Sequence, residues 1–134
     1  AEQVAAVKGA GGRLIVMPHS DAAVIGAAIA NECVVVPGVA TPTEGFAALA
    51  RGADALKMFP GEALPPSVVK AWRAVFPPET MLVPVGGIST DNIMTYLAAG
   101  ASGFGIGSAL YAPGRSAADV RARADGLVSA CRFD

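Results

Sequence analysis

The sequence predicts a parallel α/β fold, and three observations carry that reading. Five short apolar runs recur along the chain, each the length of a strand. Helical stretches that close on small residues separate them, and strict strand–helix alternation implies parallel strands joined by right-handed crossovers. Pro18, Pro37, Pro60, Gly86, Gly87 and Ser108 all fall at or just past the C-terminal ends of the runs, where α/β folds place their sites. Two closures fit: the last five βα units of a (β/α)8 barrel of the TIM type, or an open five-stranded flavodoxin-like sheet.

Taken in order, AEQVAAVKGAGG (1–12) reads as a helix already under way, with no initiator Met, so preceding sequence is expected. RLIVMP (13–18) is the first strand, followed by a helix over 21–31. CVVVPG (33–38) is the second, and TPTE (41–44) starts the helix over 43–51, with Glu44 in a capping box. That helix ends on a left-handed Gly52, and ALKMFP (55–60) forms the third strand before a helix over 66–75. MLVPVGG (81–87) is the fourth strand. STDN (89–92) then starts the helix over 90–99, which closes on Gly100. GFGIGS (103–108) is the fifth strand, and the last helix covers 117–131.

At 134 residues the chain is expected to be one domain, 1–134, with no second core of ordinary size. Ten basic and eleven acidic residues give a net charge of −1, which leaves no electrostatic footprint for nucleic acid or an anionic membrane surface. No apolar run approaches the ~20 residues of a membrane-spanning helix. The two cysteines, Cys33 and Cys131, form neither a disulfide framework nor a metal set, which fits a cytoplasmic protein.

Lys57 is the odd residue, a lysine within the apolar run 55–59. Apolar neighbours disfavour its ammonium form; lowering its pKa from about 10.4 to about 7 corresponds to roughly 4 to 5 kcal/mol. A neutral amine attacks a ketone to give a Schiff base, and the iminium then serves as an electron sink for cleaving the bond β to that carbon. The bland alternative is a lysine snorkelling to the sheet edge. A second constellation is PVGGIS (84–89) with GFGIGSAL (103–110): glycines after two successive strands let backbone N–H groups approach an anion, with the Ser108 hydroxyl beside them.

Other polar residues read more plainly. His19, the only histidine, fits a solvated loop better than a substrate contact, and Glu62, five residues past Lys57, is a weaker candidate for a general base. Arg51 and Asp54 read as surface charges, and Trp72 and Tyr96 as packing residues on helices.

The segments IVMPHS, VVVPGVATPTE, ALKMFPGEA, VPVGGISTDNI and GFGIGSALY, in this order, resemble the 2-keto-3-deoxy-6-phosphogluconate/6-phosphogalactonate aldolase family. The resemblance is closer to its phosphogalactonate members, because Val85 stands where gluconate-type members usually carry threonine. It spans the whole chain but only about the last two-thirds of the family's usual length, beginning after that family's third strand. It implies a (β/α)8 barrel rather than an open sheet, commonly a homotrimer, with class I chemistry and no metal or other cofactor. The implied reaction is reversible cleavage of a 2-keto-3-deoxy-6-phosphosugar acid to pyruvate and glyceraldehyde 3-phosphate. Lys57 matches the Schiff-base lysine, Pro18 and Phe59 the keto-acid pocket, and Gly86, Gly87 and Ser108 the phosphate site. The family's general base, a glutamate on an early strand, has no counterpart in these residues. The rivals are a 4-hydroxy-2-oxoglutarate aldolase using the same lysine and a non-catalytic phosphate-ligand binding domain.

Overall fold

A computed structural model describes residues 1–132 of the chain. The order is α1 (Glu2–Gly9), β1 (Leu14–Val16), α2 (Ala22–Ala30), β2 (Val34–Val36), β3 (Gly38–Val39), α3 (Pro42–Leu49), β4 (Leu56–Met58), a 3-10 turn over Gly61–Ala63, α4 (Pro66–Arg73), β5 (Leu82–Pro84), α5 (Ile93–Ala98) and α6 (Ala117–Ala130). Every strand pair is parallel. The strands lie in chain order, β1 beside β2 and β3–β4–β5 in sequence, without the reversal that an open flavodoxin-like sheet requires.

The second expected strand is divided in two at Pro37, which has no N–H to give to the ladder. The chain nevertheless bridges its neighbours across the break. Val36 O accepts from Met17 N, and Pro37 O accepts from Lys57 N at 2.9 Å. Gly38 is required here, since a Cβ at that position would overlap the Pro18 backbone. The fifth expected strand is reduced to a single bridge, Val85 to Gly105. Gly103, Gly105 and Gly107 supply no side chains to hold it, and glycine weakens a strand on entropic grounds as well.

Helix starts follow local chemistry. Asp21 Oδ1 accepts from Val24 N, which begins α2. Thr41 and Glu44 form the expected capping box at α3. Helix α5 starts at Ile93 rather than residue 90, because Asn92 accepts from Ser89 N and donates to Gly87 O, holding 87–92 as a turn. Gly52 and Gly100 adopt the expected positive φ, +91° and +102°. Asp54 is exposed, as a surface charge should be, and its carboxylate also accepts from Val35 N at 2.8 Å and so closes the β2 backbone.

The core lies between the sheet and its helices. Ile15, Val35, Leu56, Met58 and Leu82 are buried with Ile25, Val69, Trp72, Ile93 and Tyr96 from α2, α4 and α5. Alternate strand positions point the other way. Leu14 and Val16 pair with Val34 and Val36, and on this second face Leu14, Val16 and Val34 are about half exposed, at 54, 52 and 47 %. The first two runs are therefore covered on one face only. Away from this face, Arg73 ties α4 to the chain after α5, donating to Thr80 O at 2.6 Å, Gly100 O at 2.7 Å and Ser102 Oγ at 2.7 Å. No helix among the described residues is long and apolar enough to cross a membrane.

Candidate functional site

Register decides where Lys57 points. It pairs with Gly38 on one side and Val83 on the other, so its side chain shares the open face with Val83 and, two residues on, Val85. It is half-buried there, not enclosed as the sequence reading expected. Burial among these aliphatic neighbours lowers its pKa below the ordinary lysine value. The amine lies 4.3 Å from the Phe59 ring centroid, and no ion pair reaches it among the described residues. An amine held beside an aromatic face without a carboxylate partner is free to act as a nucleophile.

Pro18 and Phe59 come together as walls of one cavity of about 430 Å³ at the C-terminal ends of β1 and β3, with Gly38 in its floor. His19 is exposed, as a solvated loop residue should be, but it also lines this cavity together with Arg51. The sequence signal for that was its position directly after Pro18.

Gly86 and Gly87 lie just past β5 with φ of +106° and +67°, a conformation that favours glycine. The Val85–Gly105 bridge sets the chain after β5 beside the 103–108 run, so Gly86–Gly87 and Ser108 emerge from neighbouring strand positions. Among the described residues, the N–H groups of Gly86, Gly87, Gly107 and Ser108 meet no backbone or side-chain acceptor, and the Ser108 hydroxyl makes no hydrogen bond. Such a group of unsatisfied donors suits an anion. The Ser108 carbonyl is held from behind by Arg115 at 2.7 Å.

Sequence reasoning missed the neighbour of those glycines. The 3-10 turn after β4 docks on the chain leaving β5 through Gly61 N to Val85 O, 2.7 Å. The buried Tyr96 hydroxyl fixes that turn from α5, lying 3.1 Å from Gly61 O and 3.3 Å from Leu64 O. Burial, and then the Glu62 charge, hold the Tyr96 phenol above its ordinary pKa. Glu62 itself lies over the glycine pair: a Cβ at Gly86 would overlap its carboxylate, and one at Gly87 would come within 2.9 Å of its Cγ. It forms no ion pair with Lys57 among the described residues.

Comparison with known proteins gives consistent results. Residues 1–122 match the family described as KDPG and KHG aldolase. A probable 2-dehydro-3-deoxy-6-phosphogalactonate aldolase of Rhizobium meliloti (strain 1021) is 48% identical over 128 residues, 96% of this chain and 60% of that protein. The 2-dehydro-3-deoxy-6-phosphogalactonate aldolase of Escherichia coli (strain K12) is 41% identical over 131 residues, 98% of this chain and 64% of that protein. A solved structure described as native KDPGal superposes with a TM-score of 0.94 at 41% identity, covering 96% of this chain and 63% of its own. The chain thus spans less than two-thirds of the length of these relatives.

Proposed function

This chain belongs to the KDPG and KHG aldolase family, and on that premise we propose that it forms part of a class I aldolase that reversibly cleaves 2-keto-3-deoxy-6-phosphogalactonate, or its gluconate counterpart, to pyruvate and glyceraldehyde 3-phosphate. The observation that carries the reading is the half-buried Lys57 amine, unpaired among the described residues and 4.3 Å from the ring of Phe59; Phe59 lines the cavity, although Lys57 itself is not among its lining residues. The amine adds to the substrate C2 carbonyl, and loss of water gives the iminium. Cleavage of the C3–C4 bond delivers its electron pair into the iminium as an enamine, while the C4 hydroxyl proton leaves and the aldehyde departs. Protonation at C3 and hydrolysis release pyruvate and restore Lys57. The free donors at Gly86, Gly87, Gly107 and Ser108 support binding of the distal phosphate.

Residues 1–134 act in this reading as the C-terminal portion of a (β/α)8 barrel, in a cytoplasmic homotrimer. The consecutive strand order and the open apolar face of β1 and β2 support the barrel. No carboxylate among the described residues pairs with Lys57, and proton transfer falls in this reading to the early-strand glutamate that the family resemblance implies. The test is borohydride reduction of the full-length protein in the presence of pyruvate, followed by peptide mapping. A pyruvate-derived mass on Lys57 is expected; labelling confined to Lys8 or Lys70 overturns the assignment.

A further inference from the structure

We propose that Glu62 is the resident counter-anion of the phosphate seat, a carboxylate that the incoming phosphate must displace and that therefore sets how tightly the seat holds anions. The inference rests on the phosphate reading of Gly86, Gly87 and Ser108 given above.

Three features place Glu62 in this role. Its backbone is fixed rather than free: Gly61 N donates to Val85 O, Ala63 N donates to Pro60 O at 3.0 Å, and the buried Tyr96 hydroxyl holds the carbonyl side of the turn. From that anchored position the side chain lies directly on Gly86 and Gly87, which leave it room only because neither has a Cβ. Its carboxylate has no hydrogen-bond or ion-pair partner among the described residues, while the adjacent Gly86 and Gly87 N–H groups have no acceptor. A negative charge and a set of unused donors therefore stand side by side.

A phosphate arriving at the same donors carries close to two negative charges and must push the carboxylate out towards solvent. Glu62 is exposed, so it has somewhere to go. The cost of moving it falls on every anion that enters. In consequence the empty seat is screened against free phosphate, and a phosphate already attached to a substrate held at Lys57 enters because its effective concentration is high.

The test is titration of full-length protein with inorganic phosphate, at low and high salt, comparing wild type with Glu62→Gln, Glu79→Gln and Ser108→Ala. Glu79 is an exposed carboxylate away from the seat and controls for net charge; fluorescence of the buried Trp72 reports that each variant is folded. Glu62→Gln is expected to bind phosphate about three- to tenfold more tightly at low salt, with the gain shrinking at high salt, while Glu79→Gln matches wild type. Equal affinity of Glu62→Gln and wild type, with Ser108→Ala weakened, overturns the role of Glu62 and leaves the seat standing. An equal gain in Glu79→Gln reduces the effect to net charge and also overturns it. Absence of phosphate binding in all four proteins overturns the seat, and the role of Glu62 with it.

Discussion

Lys57 feels two opposing influences. Its aliphatic neighbours on the open face withdraw water and lower its pKa, whereas the Phe59 ring at 4.3 Å favours the ammonium form. The first prevails, so the neutral fraction grows with pH and saturates sooner than for a free lysine. The rate of pyruvate adduct formation should therefore climb with pH and level off below about 10.4, the ordinary lysine value. Lys57→Arg should give no adduct at any pH, because guanidinium stays protonated. Reductive trapping across a pH series measures both, and a midpoint at the free-lysine value would remove desolvation as the activating cause. Lys57 was legible because a lone charge in an apolar run is conspicuous. Its half-exposure was not, because that depends on what faces the strand, which composition does not record. The contact of Glu62 with Gly86 is illegible for a related reason: the residues sit on different strands' loops and meet through the Gly61 N–Val85 O bond and the Tyr96 anchor, both long-range in sequence.

Among the elements, α3 was read almost to the residue, because a capping box is a local code. Glu44 Oε2 accepts from Ala40 N at 2.8 Å, Thr41 N at 2.9 Å and Thr41 Oγ1 at 3.0 Å. These bonds, the Ala40 amide first, hold the Glu44 carboxyl below its ordinary pKa. A depressed carboxyl contributes stability above its unfolded-state pKa and loses it as pH falls through the folded value. Thr41→Ala should cost about 1 kcal/mol at neutral pH by urea denaturation. The difference from wild type should shrink at acid pH, where Glu44 is protonated in both. A penalty independent of pH would assign the loss to the threonine cap alone. The second and fifth strands were read less well. Pro37 follows three valines and precedes Gly38, and only the neighbouring carbonyl geometry reveals that β2 and β3 keep partners on both sides of it. In the 103–108 run, alternating glycines preserve the spacing of a strand while removing most of what holds one together.

At the scale of the molecule, one sheet face is lined by helices and the other exposes Leu14, Val16 and Val34, with β1 pairing only to β2 among the described strands. An unpaired edge beside exposed apolar side chains favours association. Residues 1–134 purified alone should therefore self-associate in light scattering, and joining them to about 65 to 75 preceding residues, enough to complete a barrel of 200 or more, should disperse them. A stable, active monomer from 1–134 would instead favour a self-contained sheet. Alternation of strands and helices made the layering legible, but no periodicity distinguishes a face that meets helices from one that meets other strands. Strand order matching chain order has a genetic corollary. The lysine and cavity belong to one length of coding sequence, up to Phe59, and the glycine pair and Ser108 to a later one. What joins the two lengths is the β4–β5 ladder, Leu56 beside Leu82 and Lys57 beside Val83, with Leu56 N donating to Met81 O and Val85 N to Met58 O. These are main-chain bonds, which any homologous segment supplies whatever its side chains. Under the proposed function, recombination between relatives of this chain exchanges the anion-binding half while leaving the carbon-bond chemistry in place, a route by which new aldehyde partners arise with the same nucleophile.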